Sequence, residues 1–413
     1  MVCSNMSKGK VVIIGSGRSG RGLLGELCFL DGYEITFADI DKSLIEKMKK
    51  ARRYISFRDD EKGGFDQILV KDFDAVHIFN DRKEYIKKLS EADIIFTATF
   101  DDAFNQIITD VRESVDYRIA NSIGGQTAFV VGANYVGLYD YFRSHIEAVF
   151  DLEELRYFNS HIVLTESIIY RISSFPTDEQ RAIDELSIQN ENYNILRVNT
   201  GQISKADKVA LPSFFLNEDD TLRYMRLKIW KGNTLHCSLA FMGQYYGLEC
   251  ICDDANDDYI SRSAYYAYQE AYQGLVKEYG IPEAENPEDV KGLWNYYRDR
   301  SFRDTNIRVG NDPIRKLSRN DRFIGPALIC LKHGILPVHI CQNAAYGFFF
   351  QNNSDQRTVR LSQMIEDNGI EQTIRDVCGL DLKKTDDKVI YDLIYAKYLD
   401  LNKNNPVDAV LNA

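Results

Sequence analysis

Apolar residues fall into two rhythms along this 413-residue chain. Through the first half they come as short β-rich runs, at 11–14, 35–38, 94–98 and 162–164, separated by stretches of helical spacing such as 44–53. Short apolar runs alternating with helices are the signature of an α/β domain. From about Leu222 the rhythm lengthens into helices, for example 264–279 and 358–368, with Gly280 and Gly369 in the stop positions just beyond. The pattern predicts an α/β amino-terminal domain over 1–210 and a mostly α-helical domain over 211–413, joined near 200–215. No internal repeat, low-complexity tract or proline-rich linker interrupts it.

The first strand runs into Gly15-Ser16-Gly17-Arg18-Ser19-Gly20, then into a helical segment at 23–30 that Gly32 stops. A second strand ends on Asp39, nineteen residues after the last glycine. Strand, GxGxxG, helix, strand and acid in that order predict a Rossmann-type dinucleotide site. Gly15 turns the chain, Gly17 admits a pyrophosphate, Gly20 allows close helix packing, and the helix amino terminus faces the negative charge. Ser16, Arg18 and Ser19 complete the loop. Asp39 accepts the ribose hydroxyls and repels a 2′-phosphate, which favours NAD over NADP, although Arg18 or Arg21 could reach a phosphate.

Composition narrows the partners. With 44% hydrophobic and 27% charged residues the chain has ordinary globular usage. Lysine and arginine number 50 against 62 acids, a net charge of −12, which argues against nucleic acid or an anionic membrane as partner. Eight cysteines without framework spacing read as free thiols of a reducing compartment. The first apolar run is too short for a signal-peptide core and none approaches a membrane span, so a cytoplasmic protein is expected. Cys250-x-Cys252 with Asp253 and Asp254 lacks the ligand count and spacing of a zinc site, and no metal is expected. His333 and His339 fit a turn between helices, and Tyr265, Tyr266, Tyr268 and Tyr272 read as packing.

In the helical half, Lys228, Asn233 and His236 form Lys-x4-Asn-x2-His. At about 100° per residue of α-helix, Asn233 lies near 140° and His236 near 80° from Lys228, within one half of the surface. A desolvated lysine can serve as a base, while an amide and an imidazole can hold an oxygen. Singly, Lys228 would be an ordinary surface charge and His236 a core histidine. Further on, Arg303, Arg308, Arg315, Lys316, Arg319 and Arg322 concentrate six positive charges in twenty residues of an acidic chain. Such a cluster suits phosphate or carboxylate, although salt bridges to Asp304, Asp312 and Asp321 would explain any single member.

With the glycine loop at 15–22, Thr36-Phe37-Ala38-Asp39, the Lys-Asn-His set and the basic run from Arg303 to Arg322, the chain resembles the polyol-specific long-chain dehydrogenases/reductases. The resemblance runs from Gly15 to about Tyr346. It implies an NAD-dependent, metal-independent oxidoreductase interconverting a polyol, such as the sugar-alcohol phosphate mannitol 1-phosphate, with its ketose, fructose 6-phosphate. It implies that Lys228 is the general base and that Asn233 and His236 hold the reacting oxygen. Asn121 is then a second such amide, following a strand, and Arg303, Arg308, Arg315 and Lys316 bind substrate. Two departures stand out: Tyr170 replaces an aspartate in Ile169-Tyr170-Arg171-Ile172, and Asp299-Arg300-Ser301 lies where an Asn-Pro is common. A hexuronate reductase of the fructuronate or tagaturonate type, and a dinucleotide-binding sensor that lost turnover, are the rival readings.

Overall fold

The computed structural model describes residues 7–60, 62–204, 211–281, 287–300 and 304–403. The chain divides into two units, Met1–Leu222 and Arg223–Ala413. The first contains the strands β1 (Lys10–Ile14), β2 (Glu34–Asp39), β3 (Arg53–Asp59), β4 (Phe65–Lys71), β5 (Asp74–His77) and β6 (Ile94–Thr97). It continues with β7 (Thr127–Gly132), β8 (Ile162–Ile168), β9 (Ser173–Ser174), β10 (Ile188–Asn190), β11 (Leu196–Val198) and β12 (Phe215–Asn217).

Eight strands form one sheet in the order β12-β11-β8-β7-β6-β1-β2-β5. From β5 to β8 all neighbours are parallel, the doubly wound order, and β11 joins antiparallel to β8. The strands are apolar on both faces because both faces are covered. Val11 and Ile13 enter one core cluster while Val12 and Ile14 enter another, and Phe96 and Ile95 divide in the same way. The parallel strands end side by side at Ile14, Asp39, His77, Thr97, Gly132 and Ile168, the edge where α/β sheets receive ligands.

A smaller sheet, β4-β3-β10-β9, packs behind the first helix. Glycines make that contact possible: a Cβ on Gly25 would stand 2.5 Å from the Tyr54 hydroxyl, and one on Gly22 would run into Asn190 and Ser173. The fully buried Glu26 receives Nη2 of Arg171 at 2.8 Å and the Ser56 hydroxyl, fixing the chain next to Tyr170. The sequence pattern did not isolate this sheet, because β9 and β10 are two and three residues long and β4 is largely exposed.

The second unit is helical in its described residues. Helices Thr234–Tyr245 and Asp258–Tyr279 pack in a core with Ile324–Lys332, Val338–Tyr346 and Thr385–Lys403. The long helix begins earlier than the spacing predicted, because Asp257 caps it by accepting from the amides of Tyr259 and Ile260, and it ends at Gly280 with φ 61°. Tyr268 is buried in this core with Tyr265 and Tyr272 packed against it. Gly369, with φ 74° and ψ 160°, ends the helix that starts at Gln356, as the spacing predicted, and a second helix follows across the kink. The chain resumes to Cys378, because the Thr373 hydroxyl bonds the carbonyls of Met364 and Gly369, and Gly379 is the terminator. His333 caps the helix Ile324–Lys332 and bonds Glu278, whereas His339 lies in the first turn of the helix Val338–Tyr346 rather than in the turn between helices, bonded to Glu270.

Candidate active site

The glycine loop is built for close approach. Gly15 holds φ 95°, and a Cβ there would stand 2.5 Å from the Ala98 carbonyl oxygen. On Gly20 a Cβ would overlap the Gly15 carbonyl, whereas around Gly17 the space is open within 4 Å. These are the three tasks the motif assigns, and the helix that follows starts with π-type bonding over Gly20–Gly25 before turning α at Glu26. Asp39 faces the loop: Oδ2 accepts the Ser16 amide at 2.6 Å and Oδ1 accepts the Asp41 amide at 2.9 Å. A carboxylate has about four acceptor positions, so it retains capacity for two hydroxyls. Arg21 points inward, with Nε on the Ser16 carbonyl at 2.9 Å and Nη1 on Leu186, and is therefore a brace of the loop. Arg18 sits over the Phe175 ring, and Ser19 lies at the start of the helix.

Two neighbours of Asp39 were missed in the sequence. Ile40 and Phe79 are 64% and 53% exposed just beyond β2 and β5, an apolar shelf beside the carboxylate. An apolar residue immediately after the acid-ending strand was the available signal.

Asn121 does not stand where the resemblance implies. It follows the helix Phe104–Ala120 rather than a strand, and its amide donates back to the Tyr117 carbonyl at 2.7 Å. It is exposed before the amino end of β7, across the sheet from the glycine loop. Asn134, two residues beyond the carboxyl end of β7, is the amide that follows a strand on the loop's side. Tyr170, two residues beyond β8, stacks edge-on against Tyr193 with Arg197 over its ring.

In the second unit Lys228 and Asn233 lie in a π-helical turn, Leu227–Asn233, and His236 in the α-helix that continues from it. The α-helical angles above therefore do not apply. An i→i+5 bond widens the turn, so Lys228 and Asn233, five apart, occupy successive turns of one face. This turn is tied to the basic segment: Nε1 of Trp230 donates to the Asn320 carbonyl at 2.9 Å, and the Thr234 hydroxyl reaches the Arg322 carbonyl at 2.5 Å. Gly325 makes room, since a Cβ there would stand 2.5 Å from the Trp230 ring.

Arg322 is the electrostatic centre. Its Nε donates to Asp321 at 2.7 Å, and its charge is felt at Lys228, His236 and Lys316. Burial, with Arg322 adding to it, pushes the Lys228 ammonium down to about 8. Burial and then Arg322 and Arg315 push Lys316 down to about 7. Lys316 is 6% exposed, and no acid lies within ion-pair distance of its ammonium among the described residues. Burial also lowers His236, against the pull of Asp304. Nε2 of His236 stands 3.2 Å from Oδ2 of Asp304, and Tyr297 stacks on the imidazole with centroids 4.6 Å apart. Burial alone would raise Asp304, but the Arg308 guanidinium and His236 hold it down at about 2.

The other basic residues divide by partner. Arg308 grips Asp304 with two nitrogens. Arg315 bridges Asp312 and Asp321, and Arg319 grips Asp387 and the Gly379 carbonyl. Arg303 lies outside the described residues. Cys250 and Cys252 are buried thiols, and no cluster of three potential metal ligands occurs among the described residues.

Two family models divide the chain between them: the mannitol dehydrogenase Rossmann domain matches residues 9–211 and the mannitol dehydrogenase C-terminal domain matches 220–407. The chain belongs to the mannitol dehydrogenase family. As a member it is an oxidoreductase acting on CH–OH groups of polyols. Its relatives in the family include mannitol-1-phosphate 5-dehydrogenases. That of Thermoanaerobacter pseudethanolicus is 28% identical over 378 residues, 90% of this chain and 94% of the relative. That of Geobacillus stearothermophilus is 27% identical over 362 residues, 87% and 92% of the two chains. The fold is shared with Pseudomonas fluorescens mannitol 2-dehydrogenase, solved with NAD and D-mannitol, at TM-score 0.76 and 14% identity over 97% of this chain and 93% of that one. A D-sorbitol dehydrogenase shares it at TM-score 0.65 and 13% identity, over 94% and 93%.

Proposed function

We propose that the protein is an NAD-dependent dehydrogenase that interconverts a sugar-alcohol phosphate, mannitol 1-phosphate, with fructose 6-phosphate. The observation that carries the reading is the Lys228 ammonium, brought down to about 8 on one π turn with Asn233 under the charge of Arg322, which also acts on the buried Lys316. The mannitol-1-phosphate 5-dehydrogenases among the relatives support the same substrate.

Gly15, Gly17, Gly20 and Asp39 fit a dinucleotide: the loop is bare where a pyrophosphate must approach, and the carboxylate keeps acceptors for the ribose. Ile40 and Phe79 offer an apolar seat for the adenine. Bound NAD supplies the hydride acceptor. The chain supplies the proton path: neutral Lys228 takes the hydroxyl proton on Nζ as the carbinol becomes a carbonyl. Asn233 and His236 hold the oxygen. Fixed donors around a growing negative charge act most strongly where water is excluded. Lys316 attracts the phosphate, and the acid pairs made by Arg308 and Arg315 keep both as framework.

The test is a panel of polyols, polyol phosphates, ketoses and hexuronates assayed with both cofactors by NADH or NADPH absorbance. Reduction of fructose 6-phosphate with NADH, far above fructose, is the expected result. Turnover of hexuronates alone would transfer the assignment to a hexuronate reductase, and no turnover with any substrate would leave a binding protein.

A further inference from the structure

Behind the His236–Asp304 pair lies a second acid that the mechanism does not use. Asp254, on the helix Ile251–Asn256, is fully buried. The charges felt there are Asp253 and Asp257, both acids on its own segment. Of the nearby cations, Arg300 pairs with Asp253 at 3.5 Å, and Arg298 gives Nε to the Ala255 carbonyl at 3.0 Å. From the helix Asn306–Gly310, Asn306 donates Nδ2 to Oδ1 of Asp254 at 3.2 Å and to the Leu248 carbonyl at 3.0 Å. From the helix Thr234–Tyr245 comes Gly243, where a Cβ would collide with the carboxyl. The second oxygen of Asp254 and the amide oxygen of Asn306 are both buried without a donor.

Two facing groups, joined at one end by N–H to O and each orphaned at the other, lack one proton between them. A proton on Oδ2 of Asp254 lets the acid donate to Oδ1 of Asn306 and closes a two-bond acid–amide ring. Ionised, the same carboxyl would be a buried charge with one amide donor and no cation. Burial accordingly pushes it up to about 8.

The clamp has a mechanical consequence. Residues 304–306 hang on 249–254: the Ile251 amide donates to the Asp304 carbonyl and the Asn306 amide to the Glu249 carbonyl, each at 2.9 Å, with Cys250 bridging Thr305 between them. Asp304 then reaches His236 from this segment. We propose that Asp254 is a neutral acid that clamps Asn306 and thereby positions the Asp304–His236 pair during polyol oxidation, a role that rests on the functional reading above.

The experiment is the pH dependence of kcat for polyol oxidation in the natural protein and in Asp254→Asn. Oxidation rises as Lys228 loses its proton and, with the clamp intact only while Asp254 is protonated, falls again above about pH 8. Asparagine keeps donor and acceptor and has no proton to lose, so the variant should retain neutral-pH kcat and cofactor affinity while the alkaline fall disappears. An unchanged alkaline limb in the variant overturns the proposal. Infrared titration of the Glu166→Gln protein, which removes another buried acid raised by burial, needs no change at Asp254. It should show a protonated-acid carbonyl band that vanishes near pH 8, and absence of that band at neutral pH also overturns the clamp. If the natural protein oxidises no polyol, the functional reading fails, and the infrared band alone then decides the clamp.

Discussion

Nε2 of His236 stands 3.2 Å from Oδ2 of Asp304, and Arg308 grips both oxygens of that carboxylate with Nε and Nη2. A ring packed on Tyr297 and facing a fixed anion has a restricted orientation, and a displacement of about 1 Å can lower a rate by about 10²-fold. Asp304→Ala should therefore lower kcat by about 10- to 100-fold with little change in NADH affinity. Stopped-flow turnover and fluorescence titration separate the two, and an unchanged kcat would make Asp304 a partner of Arg308 only.

Lys228→Ala should lower oxidation by about 10²–10⁴-fold, the range of a general base, and leave NADH binding intact. The sign of the pH dependence follows from its proton. A lysine held at about 8 is increasingly neutral above that pH, so in the Asp254→Asn protein, which lacks the alkaline fall, oxidation rises through pH 8 while ketose reduction, which needs the ammonium, falls. An oxidation rate already flat between pH 6 and pH 9, a range of about one to two units on either side of that value, would contradict the assignment.

Asp39→Ala should weaken NADH and narrow its preference over NADPH, since the carboxylate both accepts the ribose and excludes a 2′-phosphate. The substitution also leaves the Ser16 amide without its acceptor, so the loop should lose order along with affinity. Fluorescence titration with both cofactors measures the effect. Equal affinity in the natural protein would remove the NAD preference.

Lys316 and Arg319 lie three residues apart and should behave in opposite ways. Lys316→Met removes a buried cation with no acid within ion-pair distance among the described residues, so the Michaelis constant for a phosphorylated sugar should rise far more than for its neutral counterpart, with Tm steady or higher. Because Lys316 loses its charge as pH rises through about 7, that constant should climb with pH in the natural protein. Arg319→Ala leaves Asp387, 1% exposed on its side chain, without its cation, which should cost about 1–3 kcal/mol of stability and leave kinetics unchanged. Thermal melts beside steady-state kinetics test both. Parallel losses on phosphorylated and neutral substrates would make Lys316 structural.

Local chemistry made much of this protein readable from its sequence. The glycine loop and Asp39 are contiguous tasks, in which turn, bare backbone, helix start and strand-ending acid follow from residue type and spacing alone, and the parallel strands follow from apolar runs buried on both faces. Lys228, Asn233 and His236 were likewise found together because they share one stretch of helix, although its π geometry depends on the Trp230 and Thr234 contacts with residues 320–322. What lay beyond the sequence depends on residues far apart in the chain. A run of arginines carries the same formal charge whether or not acids meet it, and only the packing of Asp387 against Arg319, with no acid in ion-pair distance of Lys316 among the described residues, divides framework from substrate-facing cation. Asn121 and Asn134 differ by which end of β7 they occupy, a question of chain direction across a sheet that composition cannot answer. Burial decides the rest: Asp254 and Asp304 are both aspartates in an acidic protein, yet one is raised by enclosure without a cation and the other lowered by Arg308, because the charge state of an acid is set by its surroundings in space.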